Sequence, residues 1–389
     1  MKTYSVRVYL FLVSIVGSCS AFFHTWQRLF SIDIAYNDIL TKTLLAIQPG
    51  MPYIDKLIEY PVLTGLFIRL MGFAGGGEWG YYALSAVFLT VFAVVATYFL
   101  NRIGDGAARR RLLAYWIFAP SMFFFLIYNW DIMPVLFAVV AFYFVMHGRQ
   151  YPASLFLALG FCCKFYPAMY LLPLLLRDRS IGNWGGIIGV FALTTLAVNA
   201  FFMVSNFDGW YYFFDLSNDR LPNPDSIWGV VHYYAPQLGV SQINALSLSL
   251  FTAGIAILVW KHGREPTIKL CFALTLLFLL TNKVFSPQFT LWLLPFFVLS
   301  PPPGVTKRLF YALEVSNLMV MFTLLTYWFT TERDVTYLHV SQFFVVIRHA
   351  VMAYLLIKLL TTREGQVRVG EAKPDLGNAI RRRPPPVSL

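Results

Sequence analysis

Charge is what this sequence is short of. Only 13% of its 389 residues are Asp, Glu, Lys or Arg, against 58% that are hydrophobic, and the mean hydropathy is +0.63. A water-facing domain carries about 25% charged residues, so this composition excludes a string of soluble domains. Cysteine is scarce too. Cys19, Cys162, Cys163 and Cys271 all lie in apolar stretches, without disulfide-framework or metal-ligand spacing, and read as small buried side chains. Acidic residues are outnumbered, 19 against 30 Lys and Arg, leaving a net charge of +11. In a soluble protein that excess would point to nucleic acid. Here the basic residues fall in short connections between apolar runs, so membrane lipid is the expected partner and nucleic acid is not.

What is abundant is apolar runs near the length of a bilayer crossing. They fall at about 5–23, 80–101, 112–128, 131–147, 182–204, 241–260, 266–281, 286–300, 309–330 and 337–360. The stretch from Tyr151 to Leu176 is too short for two full crossings, yet both its flanks are basic. It predicts a hairpin of short or tilted helices meeting at Lys164-Phe165-Tyr166-Pro167, because proline readily interrupts a membrane helix. The first run has small residues over Gly17–Ala21 that would suit signal cleavage, but a chain this rich in spans seldom needs it, and a retained helix is expected. The fold class is all-α, a polytopic transmembrane helical bundle of about 11–12 spans. One integral membrane domain occupies 1–362, and a polar, proline-rich, disordered basic tail occupies 363–389.

Orientation follows from the basic clusters. Arg102 with Arg109–Arg111, Arg177 with Arg179, Lys261 with Arg264 and Lys269, Lys307 with Arg308, and Arg381–Arg383 all fall on one side when crossings are counted from a cytoplasmic N-terminus. The expected location is the cell membrane, multi-pass, with both termini cytoplasmic. Two long loops, about 24–79 and 205–240, then lie outside, with short ones at Asn129–Asp131, Asn282–Pro287 and Thr331–Thr336. The first loop holds a polar helical stretch near Asn37–Ile47, a Pro49–Pro52 turn and an apolar segment, Pro61–Phe73. That segment is too short to span, is interrupted by Arg69, and is expected in the outer interface.

An ionisable group near the bilayer centre costs about 2.5–3.5 kcal/mol on insertion scales, so each one asks for a reason. Five stand out: Asp38, Asp131, Lys164, Lys283 and Glu314. All but Glu314 reach the outer half of the membrane in this topology. Two lysines, a carboxylate and polar amides around one outward cavity suit a ligand with a phosphate head and a lipid tail. The bland reading of each is an interfacial anchor or a structural ion pair.

At these residues the chain resembles the GT-C superfamily of membrane glycosyltransferases, and within it the polyprenyl-phosphate-mannose-dependent mannosyltransferases. The resemblance runs from about residue 30 to 360. It is carried by Tyr36-Asn37-Asp38-Ile39, Pro52-Tyr53 and Glu59-Tyr60-Pro61-Val62-Leu63-Thr64-Gly65, then by Asn129-Trp130-Asp131 and Lys164-Phe165-Tyr166-Pro167. Trp210, Arg220, Asp225-Ser226-Ile227-Trp228 and Asn282–Gln288 with Leu291-Trp292 complete it. It implies transfer of a sugar, by default mannose, from a polyprenyl-phosphate donor to a lipid-linked or glycan acceptor on the non-cytoplasmic face. In that superfamily an acidic residue of the first outer loop is the catalytic base, a role that falls on Asp38, with Asp33 the weaker candidate. Cations near the departing phosphate would come from Lys164, Lys283 or Arg220. Glu59, Tyr60, Asp131, Asp225, Trp228 and Gln288 complete the substrate-binding set, with Trp210, Trp228 and Tyr60 available to stack on sugar. The first outer loop carries no Asp-x-Asp pair, so neither metal nor other cofactor is expected. A transporter or flippase for anionic lipids would also explain intramembrane lysines and broken helices, although no internal repeat relates the two halves. A non-catalytic lipid-binding subunit is a third reading of the same residues.

The topology is checked by labelling single cysteines in intact cells, on a background without the four native ones. A cysteine at Asn218 is expected to react with an impermeant maleimide, and one at Gly106 is not. The reverse pattern overturns the orientation.

Overall fold

The computed structural model describes residues 4–30, 36–178, 180–302, 304, 306–330 and 333–361. Asp33 and the tail beyond 363 lie outside the described residues. Within them there is no strand, only an isolated bridge between Pro52 and Lys56. The all-α expectation holds.

Helix α1 (Val6–Leu29) is followed by two short helices, α2 (Asp38–Thr41) and α3 (Thr43–Ile47), then α4 (Val62–Gly75) and the long α5 (Glu78–Ile103). The next crossing is broken. Helix α6 (Gly106–Leu112) runs into a π-helical turn, Leu113–Ile117, and α7 (Pro120–Phe125) restarts after it. The bundle continues with α8 (Ile132–Met146), α9 (Gln150–Phe161), a 3-10 turn at Tyr166–Tyr170 and α10 (Leu171–Arg177). This is the hairpin read from the flanking basic residues, and Pro167 lies in the first turn of its return arm. Helix α11 (Ile181–Ser205) leads to the loop helices α12 (Phe207–Asp219) and α13 (Ile227–Tyr234). The chain ends with α14 (Val240–His262), α15 (Thr267–Thr281), a 3-10 turn at Pro287–Trp292 with α16 (Leu294–Leu299), α17 (Lys307–Phe329) and α18 (Val335–Thr361).

Six of these helices, α1, α5, α11, α14, α17 and α18, are long and apolar enough to cross a membrane by themselves. The remaining apolar runs are built from shorter helices broken by π or 3-10 turns. Broken helices free backbone groups, and in lipid each must find a partner inside the protein. Glu314 does this for α7. Its carboxylate accepts from the Ser121 backbone N–H at 2.7 Å and from Ser121 Oγ at 3.0 Å, at the positive end of that short helix. Ser121 Oγ also meets Thr290 Oγ1 at 2.6 Å, which ties the break to the 3-10 turn before α16. The charge at 314 therefore has a structural reason.

The segment 61–73 behaves differently from a surface helix. Half of α4 is buried, Leu63 N–H donates to Cys162 O at 2.9 Å, and Thr64 Oγ1 donates to Cys163 O at 2.9 Å. Packing on α3 and α5 holds it against the bundle. Elsewhere in the bundle Arg111 reaches Val298 O and Arg109 reaches Asn101 O, so these basic side chains satisfy backbone carbonyls.

Replacing Glu314 by Leu leaves the Ser121 N–H buried without an acceptor. The expected loss is about 1–3 kcal/mol, read as a lower midpoint of thermal unfolding in detergent, with Glu314→Gln losing less because it keeps an acceptor. An unchanged midpoint for Glu314→Leu removes this role.

Candidate functional site

Turns at one end of the bundle converge on two carboxylates. Asp38 opens α2, whose N-cap is Asn37: Asn37 Oδ1 accepts from the Leu40 N–H at 3.2 Å and Asn37 Nδ2 donates to Ile127 O at 2.7 Å. The Asp38 N–H donates to Tyr128 O at 3.0 Å. Asp38 is thus stitched to the turn between α7 and α8 through its own backbone and its neighbour's side chain. Its carboxylate accepts from Tyr36 Oη at 2.6 Å on one oxygen and from Asn129 Nδ2 on the other. It is only 8% exposed. Burial pushes its pKa above the usual carboxylate range. The Tyr36 and Asn129 hydrogen bonds and the Lys164 and Lys42 charges oppose that rise without cancelling it.

Asp131 lies two residues beyond Asn129 and is fully buried. Lys164 Nζ spans both its oxygens, at 2.7 and 2.9 Å, and Trp292 Nε1 donates to Oδ1 at 2.7 Å. The Lys164 ammonium also sits 4.3 Å from the centroid of the Phe289 ring and 5.4 Å from that of Trp292, which is stacked on Tyr166. Asp131 is therefore spent on holding a cation in place, and Lys164, with a side chain 20% exposed, is the cation whose charge acts most strongly on the Asp38 carboxylate.

Lys283 is used otherwise. Its ammonium donates to Asn218 O at 2.8 Å and Arg220 O at 3.0 Å, carbonyls at the C-terminus of α12. Asn223 N–H donates back to Lys283 O, and Trp228 Nε1 donates to Thr281 O at 2.6 Å, so the loop that carries α12 and α13 is stapled to the α15 end. Burial, reinforced by Arg220, lowers the Lys283 pKa. Arg220 is exposed and donates to Asn223 Oδ1 at 2.8 Å. Asp225 is buried, and burial raises its pKa to about 6, with Oδ1 lacking a partner. Gln288 is buried in the turn after Lys283. Glu59 pairs with Lys42 across the first loop.

One well-formed cavity is not the charged one that the sequence suggested. It measures about 450 Å³ and is lined almost wholly by apolar side chains of α11, α12 and the α9 end, among them Phe165, Phe191, Leu196 and Phe214. Tyr60 borders it, and the same ring meets Trp130 edge-on at 5.0 Å. Neither Lys164 nor Lys283 is in its lining. Tyr53 shapes its rim from a left-handed backbone (φ 66°), a costly state for a non-glycine residue. Its hydroxyl reaches the Tyr60 and Pro61 carbonyls at 2.8 and 2.9 Å, and a Cβ on Gly65 would lie 2.0 Å from that oxygen. The Tyr60–Gly65 stretch thus has a geometric reason for its glycine.

The sequence model of Glycosyltransferase family 87 matches residues 59–282, more than half of the chain. The chain belongs to glycosyltransferase family 87. This is a GT-C-type family, which places the protein among enzymes rather than transporters. The matched part contains Glu59, Tyr60, Asp131, Lys164, Arg220, Asp225 and Trp228, while Asp38, Lys283 and Gln288 fall outside it. Two solved structures are similar to this family 87 chain. ArnT from Cupriavidus metallidurans in the apo state is 13% identical, covering 83% of this chain and 71% of that one, with a TM-score of 0.42. The same protein bound to undecaprenyl phosphate is 14% identical, covering 91% and 77%, with a TM-score of 0.44. No curated protein matches.

Among residues the sequence reading passed over, Arg348 is the plainest. It is fully buried in α18, donates to Asn317 Oδ1 at 2.7 Å and to Asp225 O, and lies 3.7 Å from the Phe285 ring centroid. The signal was present, a charge within the apolar run 337–360. Tyr36 and Asn129 were visible only as neighbours of the aspartates.

Lys164→Met is expected to cost the glycosyltransferase about 3–5 kcal/mol, because it strands the Asp131 charge in the interior, and adding Asp131→Asn should restore part of the loss. Thermal unfolding of both variants in detergent checks this, and a Lys164→Met protein as stable as the parent excludes the pair as a structural element.

Proposed function

We propose that this protein transfers a sugar, mannose in the first instance, from a polyprenyl-phosphate donor to a lipid-linked or glycan acceptor on the non-cytoplasmic face, with Asp38 as general base. The observation that carries the reading is the Asp38 carboxylate itself. It is buried, held on both oxygens, raised in pKa and close to one ordered cation, Lys164. Family membership supplies glycosyl transfer. The adjoining apolar cavity, reached past Tyr60, has the surface chemistry of an isoprenoid tail.

Each group then has a step. The acceptor hydroxyl attacks the anomeric carbon as its proton passes to Asp38, and the bond from that carbon to the phosphate oxygen breaks with inversion. The electron pair leaves with the polyprenyl phosphate, whose growing charge is met by Lys164, with Arg220 supplying a second cation at the loop surface. Lys283 works indirectly, by fixing the end of α12, whose Phe213 and Phe214 border the apolar cavity. Asp131 holds Lys164 rather than taking a proton. The raised pKa of Asp38 sets the sign of the pH dependence. The carboxyl must lose its proton to act, so activity rises with pH along a limb placed above the ordinary carboxylate range.

Asp38→Asn is the test, run in liposomes with a panel of radiolabelled polyprenyl-phosphate sugars. Turnover is expected to fall by about 10²–10⁴ while donor binding persists. Normal turnover in that variant removes Asp38 from the role, and no transfer from any donor by the parent protein removes the reaction.

A further inference from the structure

Both partners of the proposed chemistry hang from one short segment. Ile127 and Tyr128 offer their carbonyls to Asn37 Nδ2 and the Asp38 N–H, Asn129 reaches the Asp38 carboxylate, and Asp131 grips Lys164 and Trp292. The base and the cation are thereby suspended from residues 129 and 131 of the same turn.

We propose that Asn129 is a positioning residue, and that the 127–131 turn is the bracket that sets the general base at a fixed separation from the phosphate-facing ammonium. This rests on Asp38 being the base. Asn129 is 3% exposed, and its amide is oriented by partners that admit one arrangement. Nδ2 donates to a carboxylate oxygen, and Oδ1 accepts from the Trp130 N–H, which can only donate. A serine is too short to span both partners. An aspartate would set a second negative charge against Asp38, and a leucine satisfies neither partner.

The remaining charged and titratable groups around Asp38 come from several elements. Tyr36 and Lys42 belong to its own loop, Tyr60 and the Lys42-paired Glu59 to the approach to α4, Tyr81 to α5, Tyr128 to the bracket and Lys164 to the turn after α9. Of the neutral groups, Tyr36 and Asn129 donate directly to the carboxylate and so favour its charged form. Losing either moves the proton affinity upward.

The experiment measures kcat and donor KM against pH for the full-length protein in liposomes, using whichever polyprenyl-phosphate sugar the parent turns over. Asn129→Leu and Asn129→Ser are made singly and on an Asp38→Asn background, with Tyr36→Phe alongside. The single Asn129 variants are expected to lose about 10² in kcat, with donor KM within about twofold, and their acid limb moves to higher pH, as does that of Tyr36→Phe. On the Asp38→Asn background the Asn129 changes add nothing, because the group they orient is gone. A folded Asn129 variant with an unmoved acid limb, or losses that multiply on that background, overturns the positioning role and leaves Asp38 as base. An active Asp38→Asn protein overturns the reading beneath it.

Discussion

A carboxylate with no exposed surface, Asp131, is what this end of the molecule is assembled around. Moving such an ion from water into a protein interior costs several kcal/mol, so it survives only with donors closely placed. It takes two contacts from one ammonium and one from an indole, and those donors come from the turn after α9 and the turn before α16. Three crossings distant in sequence are thereby registered at one point. An apolar trio of equal volume would hold the crossings together as well. It would not leave an ammonium oriented beside a second carboxylate, the arrangement on which the proposed sugar transfer rests.

The same constraint, that no polar group may be left alone away from water, explains the charges set deeper in the bundle. Glu314 caps a helix that restarts in mid-crossing. Arg348 reaches from α18 to a carbonyl of the α12–α13 loop and to Asn317, which itself donates to Pro287 O at the start of the 3-10 turn. Each charge thus anchors a place where regular helix stops. The buried charges keep those breaks in register.

Separating the apolar cavity from the charged cluster has a chemical consequence. A lipid carrier is two molecules in one, a long hydrocarbon and a small anion, and the two need opposite surroundings. Here the hydrocarbon-like cavity adjoins the cation–carboxylate cluster at Tyr60, whose ring meets Trp130, and at Phe165, the residue after Lys164. Tyr53, strained and buried, sets that boundary by holding the carbonyls of Tyr60 and Pro61.

The all-helical membrane class, the positions of the long helices and the hairpin at Lys164–Pro167 could be read from the sequence alone. Each depends on a local quantity, the length of an apolar run or a proline within it, and lipid tolerates few backbone solutions. Asp38, Asp131 and Lys164 were legible as well, because a charge in an apolar setting is conspicuous in one dimension. What each charge meets was not. That Asp131 holds Lys164 while Asp38 takes Tyr36 and Asn129, that Lys283 caps α12 rather than lining the cavity, and that Arg348 anchors the loop at Asp225 were decided by where distant turns land. Pairing energies fall off within a few ångströms, and the sequence does not record which residues tens or hundreds of positions apart come within that distance.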